Sequence, residues 1–165
     1  MAVQTAAGAQ LRISEASLGG NYDPETGGSL DSTQSDSAVN SYVDVGEVSS
    51  LGEFGPEFEE ITFTDLGNRN VRKFKGTRND GSIDISIGQN MTDSGQSTLW
   101  EALQGTNKDD DWAFEVELAS GDTFYFAAKV MSFTTNVGDP NSVVEGTISL
   151  GIQSGSVEMP EFSSV

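Results

Sequence analysis

Asp109, Asp110 and Asp111 stand in a row behind Asn107 and Lys108. Carboxylates at that density are the residue type that holds a hard cation such as calcium. The spacing of the best-defined calcium loop fails, however. Counted from Asn107, that loop needs glycine at position six and a carboxylate at position twelve, where this chain has Trp112 and Leu118. A looser site among the three aspartates, or near Asp23 and Glu25, stays open beside the plain alternative of a solvated loop before a strand. Paired carboxylates also serve glycosidases, but with 26 acidic residues some pair meets any spacing by chance. Other chemistries lack their residues. There is no histidine, so no Ser-His-Asp or Cys-His arrangement. There is no cysteine, so no thiolate metal site and no disulfide framework. No G-x-x-x-x-G-K-S/T phosphate loop is present. No catalytic, cofactor-binding or metal-ligating residue is assigned, and the chain is read as a non-enzyme without a cofactor.

Charge points to partners instead. The formal charge is −18, which repels nucleic acid, whose binding rests on Lys and Arg against phosphate. Five of the eight basic residues nevertheless cluster: Arg69, Arg72, Lys73, Lys75 and Arg78. With Asp65 and Asp80 flanking them, a nucleic-acid patch is the poorer reading. A counter-surface for acidic loops of an adjacent protomer is the better one, since such pairing sets register and orientation. Trp100 and Trp112 could stack on a sugar, although Trp100 shares a helical stripe with Leu99 and Leu103 and is read as core.

These residues need elements to position them. The length fits one domain, and 35% hydrophobic residues with 19 glycines suggest a modest β core with long polar loops. Residues 82–88 alternate strictly, Ile83, Ile85 and Ile87 against Ser82, Asp84 and Ser86, which predicts a half-buried strand. Further strands are expected at 10–16, 39–49, 58–64, 69–75, 112–118, 123–133 and 143–152. Gly67-Asn68 and Ser120-Gly121-Asp122 mark hairpin turns, and Gly46 marks a bulge or close backbone approach. In the last strand Val144, Ile148, Leu150 and Ile152 oppose Val143, Glu145, Thr147 and Ser149. One helix is expected at 93–104, with Asp93 as N-cap, Gln96 completing a capping box and Gly105 a left-handed stop. The sum is a mainly β fold, an antiparallel sandwich or barrel of about seven or eight strands with one flanking helix. Residues 1–38 read as an N-terminal strand followed by a long mobile loop, and 39–165 as the β-sandwich with a C-terminal tail, one domain in all. No stretch approaches the ~20 apolar residues of a membrane-spanning helix, and the first twenty residues lack a secretory pattern, so synthesis and assembly in the cytoplasm are expected.

Four segments in order carry a family resemblance: VGEVSSLGEFGPEFEEITFTDL (45–66), VRKFKGTRNDGSIDISI (71–87), DSGQSTLWEAL (93–103) and DTFYFAAKVMSFTTNVGDPNSVVEGTISLGI (122–152). Their sequence and spacing resemble the major tail tube protein of long-tailed bacteriophages of the siphophage type. The resemblance covers roughly 42–152 and leaves out 17–38. It implies a β-sandwich with a flanking helix, six copies to a ring, and rings stacked into a hollow virion tube. The genome's double-stranded DNA would pass through the lumen without tight binding, and the tape measure, tail-tip and terminator proteins would be partners. The residues can then be given roles. Asp84, Glu115, Glu117 and Glu145 point away from apolar strand faces and are candidate lumen-lining charges, or else an ordinary solvated face. Leu51, Phe54 and Phe58, with the basic cluster, are ring-stacking candidates, although both phenylalanines could equally cover their own core. A type VI secretion-like tube, or a monomeric β-sandwich module for calcium or carbohydrate, remains the alternative.

Overall fold

The computed structural model describes residues 5–20 and 22–160, so the extreme ends of both segments proposed from the sequence lie outside the described residues. In chain order the elements are β1 (Gln10–Ser14), β2 (Tyr42–Val45), β3 (Val48–Ser50), β4 (Phe58–Thr64), β5 (Val71–Arg78), β6 (Ser82–Gly88), α1 (Ser94–Gln104), β7 (Trp112–Glu117), β8 (Thr123–Asn136) and β9 (Glu145–Ile152). Seven strands form one antiparallel sheet in the order β2-β1-β7-β8-β9-β6-β3, and β4 pairs with β5 alone. The mainly β architecture with one flanking helix is the one expected.

One sheet makes both layers because β8 is shared. Its first residues, Thr123 to Ala128, pair with β7, and Ala128 to Asn136 pair with β9. A register shift between Val130 and Ser132 marks a bulge at Met131, the feature that bends a strand. The alternation on each strand then aims two apolar faces at each other. Leu11, Phe114 and Phe126 from one half meet Ile83, Ile85, Ile148 and Leu150 from the other in one buried cluster. Phe114 and Phe126 stack with centroids 5.4 Å apart. Each such side chain contributes about 1.5–3 kcal/mol by leaving water, which is how a chain of modest hydrophobicity holds a fold.

The two edge strands, β2 and β3, are separated in the chain by only Gly46 and Glu47, so the 39–49 strand expected from sequence is split there. Helix α1 closes this seam. The Asp93 carboxylate accepts the Gln96 N–H at 2.9 Å and the Gly46 N–H at 3.1 Å. A Cβ on Gly46 would sit 2.6 Å from Asp93 Oδ1, so the expected close approach is present. Gln96 does not complete the capping box. The Asp93 N–H already donates to the Asn90 carbonyl. The Gln96 amide instead donates to the carbonyls of Gly46 and Gly88, at 3.1 and 3.0 Å, and accepts the Asn90 N–H. One buried side chain thereby satisfies three backbone groups around the seam. Gly95 lets the helix approach so closely that a Cβ would strike the Asp44 carbonyl.

Three finer expectations are corrected. Gly105 is extended, not left-handed, because its N–H reaches the Glu101 carbonyl at 2.6 Å without the left-handed turn. Trp100 is 49% exposed. The buried face of α1 is Gly95, Gln96, Leu99 and Ala102, and Trp100, one residue on from Leu99, is rotated about 100° off it. The last strand begins at Glu145, leaving Val143 and Val144 exposed.

The described residues of 17–39 contribute no helix or strand beyond an isolated Ser29–Ser37 bridge. They still build a second, small core. Tyr22, Leu30 and Val39 are buried on Ala113 and Ala127, on the outer face of β7 and β8, flanked by Tyr42 and Tyr125. The buried Asp111 carboxylate anchors the segment, accepting the Tyr22 N–H and the Lys129 ammonium, each at 2.6 Å.

Candidate functional site

The β4–β5 hairpin stands apart from the body. Every residue of β4 is exposed, and among the described residues no strand but β5 pairs with it. Its turn is held by local bonds, the Asp65 side chain accepting the Gly67 N–H and the Asn68 side chain the Asn70 N–H. Leu66 at the tip is 97% exposed. The register places Ile61 opposite Phe74 and Phe63 opposite Arg72, so these four share one face. Phe58, Glu60, Thr62, Lys73 and Lys75 share the other. Lys75 Nζ lies 5.0 Å from the centre of the Phe58 ring, a cation–π contact. Ile61, Phe63 and Phe74 are each more than half exposed. A lone two-stranded hairpin is marginal in water, and an exposed apolar face of this kind is a candidate contact surface.

The hairpin is also the basic part of an acidic protein. All five clustered basic residues lie on β5 or in the turn before it. Residues 58–78 hold five of the eight basic residues and three of the 26 acidic ones, giving a net +2 against −20 for the rest of the chain. At the hairpin base Arg78 pairs with the buried Asp80 at 2.8 Å, and this hydrogen bond holds the guanidinium even more firmly protonated than usual. Asp80 in turn accepts the Gly155 N–H, which ties the hairpin to the C-terminal segment.

The apolar candidates divide. Phe54 packs against Phe124 and Phe126, with centroids 5.7 and 5.4 Å away, and Leu51 packs on the same core. Both cover their own domain. Phe58 stays 43% exposed on the hairpin.

The four acidic candidates also divide. Asp84 and Glu145 are exposed on the polar face of β6 and β9, among Ser86, Thr147 and Ser149. Glu115 and Glu117 lie on the polar face of β7, where Arg12 of β1 bonds both of them and Asp44 of β2 as well. Those bonds, Glu117's foremost, raise the Arg12 pKa, so the guanidinium is a fixed counter-ion. Sequence reasoning gave Arg12 no role. The pairing is visible only once β1 is known to lie beside β7, which puts Arg12 opposite Glu115. Beyond it, burial first and then the charge of Glu115 push the phenols of Tyr42 and Tyr125 well above their ordinary values. Among the aspartates considered for calcium, Asp111 is engaged as described and Asp110 accepts the Ser17 hydroxyl. Among the described residues no group of three or more acidic side chains is placed to hold a metal ion.

No family model matches the chain, and no curated protein matches it in sequence. Solved structures do match in fold. A chain of the extracellular contractile injection system PVC, in its sheath/tube terminator structure, aligns at TM-score 0.65 and 14% identity over 98% of this chain and 99% of that one. The SPP1 tail tube aligns at TM-score 0.59 and 16% identity over 92% and 77%. A chain of the anti-feeding prophage baseplate aligns at 0.63 and 12% identity over 97% of each. The chain has the tail-tube fold.

Proposed function

We propose that the chain is a structural tube protomer, whose copies form hexameric rings that stack into the hollow tail tube of a long-tailed bacteriophage. The single observation that carries the reading is the detached hairpin, apolar on one face and basic on an acidic body, joined to a tail-tube fold. A surface of this kind is stable only when covered, and the acidic remainder of another copy is its electrostatic complement. The polar face with Asp84 and Glu145 suits a lumen, because exposed carboxylates repel the phosphates of passing DNA. Glu115 and Glu117 contribute less there, since Arg12 offsets them. The role is architectural rather than catalytic. Tape measure, tail-tip and terminator proteins are the partners such a tube implies, and the virion tail is its location after assembly in the host cytoplasm.

Negative-stain electron microscopy of the purified chain across concentration and salt tests this. Hollow tubes or stacked rings are expected, with assembly weakening as the Debye length shrinks from about 10 Å at 0.1 M salt to about 3 Å at 1 M. Uniform monomers under every condition would overturn the reading. A melting temperature that then rose with calcium or a glycan would favour a monomeric binding module instead.

A further inference from the structure

The geometry points to the acceptor for the hairpin: a pocket beside Trp100 on the next copy, with Arg72 as the residue that fits it. This rests on the self-assembly reading above and names the surface it would use.

The pocket has a volume of about 240 Å³ and lies where the end of β6, the start of α1 and the second half of β8 meet. Trp100 stands edge-on to Phe133 there, with centroids 5.6 Å apart. Met91 at the rim is 85% exposed. Deeper in, Gln89 Oε1 is buried and accepts no hydrogen bond among the described residues. A buried acceptor without a donor is a standing cost, and a turn of the Gln89 amide, which lines the pocket, would present it to an N–H brought from outside. No basic residue lies between Gln89 and Asn107, while Asp93 and Glu101 do. The pocket lining therefore carries no basic side chain, has Met91, Trp100 and Phe133 as its apolar part, and is short of a donor.

Arg72 supplies what is missing. It sits on the apolar face of the hairpin, opposite Phe63. Its guanidinium makes no ion pair or side-chain hydrogen bond among the described residues. A planar guanidinium can lie on an indole face while donating in its own plane, so one group answers both Trp100 and Gln89. The flanking Phe63 and Phe74 would cover Met91 and the tryptophan edge. Hairpin and pocket are different surfaces of one molecule. Their pairing is head-to-tail and builds rings or filaments, not a closed twofold dimer.

The chain has no cysteine, so introduced thiols report contacts cleanly. A copy carrying F74C is mixed with a copy carrying S97C, a small exposed position lining the pocket, and oxidised; S120C in the β7–β8 turn serves as the collision control. The F74C–S97C heterodimer is expected to exceed the F74C–S120C product. Its yield should fall about fivefold or more with R72Q in the F74C copy or W100A in the S97C copy, the range a partly desolvated cation–π contact spans. R72K should not restore it, because an ammonium lacks the planar fork. Should W100A disturb its own packing on Phe133, M91E at the exposed rim gives the same readout. Tubes in the microscope with cross-linking no better than the control would overturn the pairing and leave the tube reading standing. Neither tubes nor cross-links at any concentration would overturn both.

Discussion

Replacing Asp111 by alanine removes the acceptor of two donors at once. The Tyr22 N–H and the Lys129 ammonium both reach this carboxylate at 2.6 Å, and Asp111 is fully buried. A buried N–H left without a partner costs about 1–3 kcal/mol. The ammonium is 30% exposed and holds a further interaction besides Asp111, so losing this contact adds about 1 kcal/mol. Together D111A should cost about 2–4 kcal/mol, and at about 2–4 °C per kcal/mol for a domain of this size the melting temperature should fall by roughly 5–15 °C. D111N separates the two contributions. Its amide oxygen still accepts the Tyr22 N–H while the charge is gone, so about 1 kcal/mol should be lost. Calorimetry gives the midpoints, and limited proteolysis locates the effect. Cleavage in D111A should begin within 17–39, because releasing Tyr22 frees the segment from Ala113 and Ala127 before the main core opens. A midpoint within about 1 °C of the parent, well inside the per-kcal shift, with an unchanged cleavage pattern would refute the view that Asp111 holds this segment down.

Q96L should be more damaging than its half-polar setting suggests. It strips partners from two carbonyls and one N–H at the β2–β3 seam, for about 2–4 kcal/mol in urea unfolding, and a loss under about 0.5 kcal/mol, the scatter of an ordinary surface change, would show that water replaces the amide. G95A drives a methyl into the Asp44 backbone and should cost about 1–3 kcal/mol by overpacking, again read by urea unfolding. Glu158 makes the pH test. Burial raises its pKa, and Asp31 and Asp36 push it the same way. Its contribution therefore favours the folded chain at low pH and is lost as pH rises through the folded value. E158Q keeps an acceptor for the Leu30 N–H, so at neutral pH it should be no less stable than the parent and should show a flatter decline in stability above the ordinary glutamate range. A neutral-pH loss would mean the carboxylate charge is needed there.

What could be read from sequence was what depends on neighbours in the chain. The Ile83-Ile85-Ile87 alternation, the Gly67-Asn68 turn and the Asp93 cap are local, and each stands where expected. The basic cluster was legible as a cluster. That it is a whole hairpin with one apolar face required the pairing of Ile61 with Phe74 and of Phe63 with Arg72. What failed depended on partners far along the chain. Arg12 and Glu115 are over a hundred residues apart, and no period or motif links them. Residues 17–38 showed only their polar composition, because the few apolar side chains that dock them, Tyr22 and Leu30, are scattered. Trp100 was misplaced because a stripe of three apolar residues does not fix which way a helix faces. The backbone contacts of Gly95 and Gln96 decide that.

The shared strand β8 has a consequence for how the molecule can come apart. Its 14 residues are hydrogen-bonded first to one half of the sheet and then to the other, so no hinge or linker separates the layers. Neither layer can detach without breaking the strand that edges the other, and the core between them belongs equally to both. The body should therefore melt as one cooperative unit. Amide protons of β8 near Ala128, where the two ladders meet, should exchange only through global opening, while the β4–β5 hairpin, outside that ladder, exchanges far earlier. A particle built from such subunits would carry flexible connectors on rigid bodies, and its bending would be confined to the joints between copies.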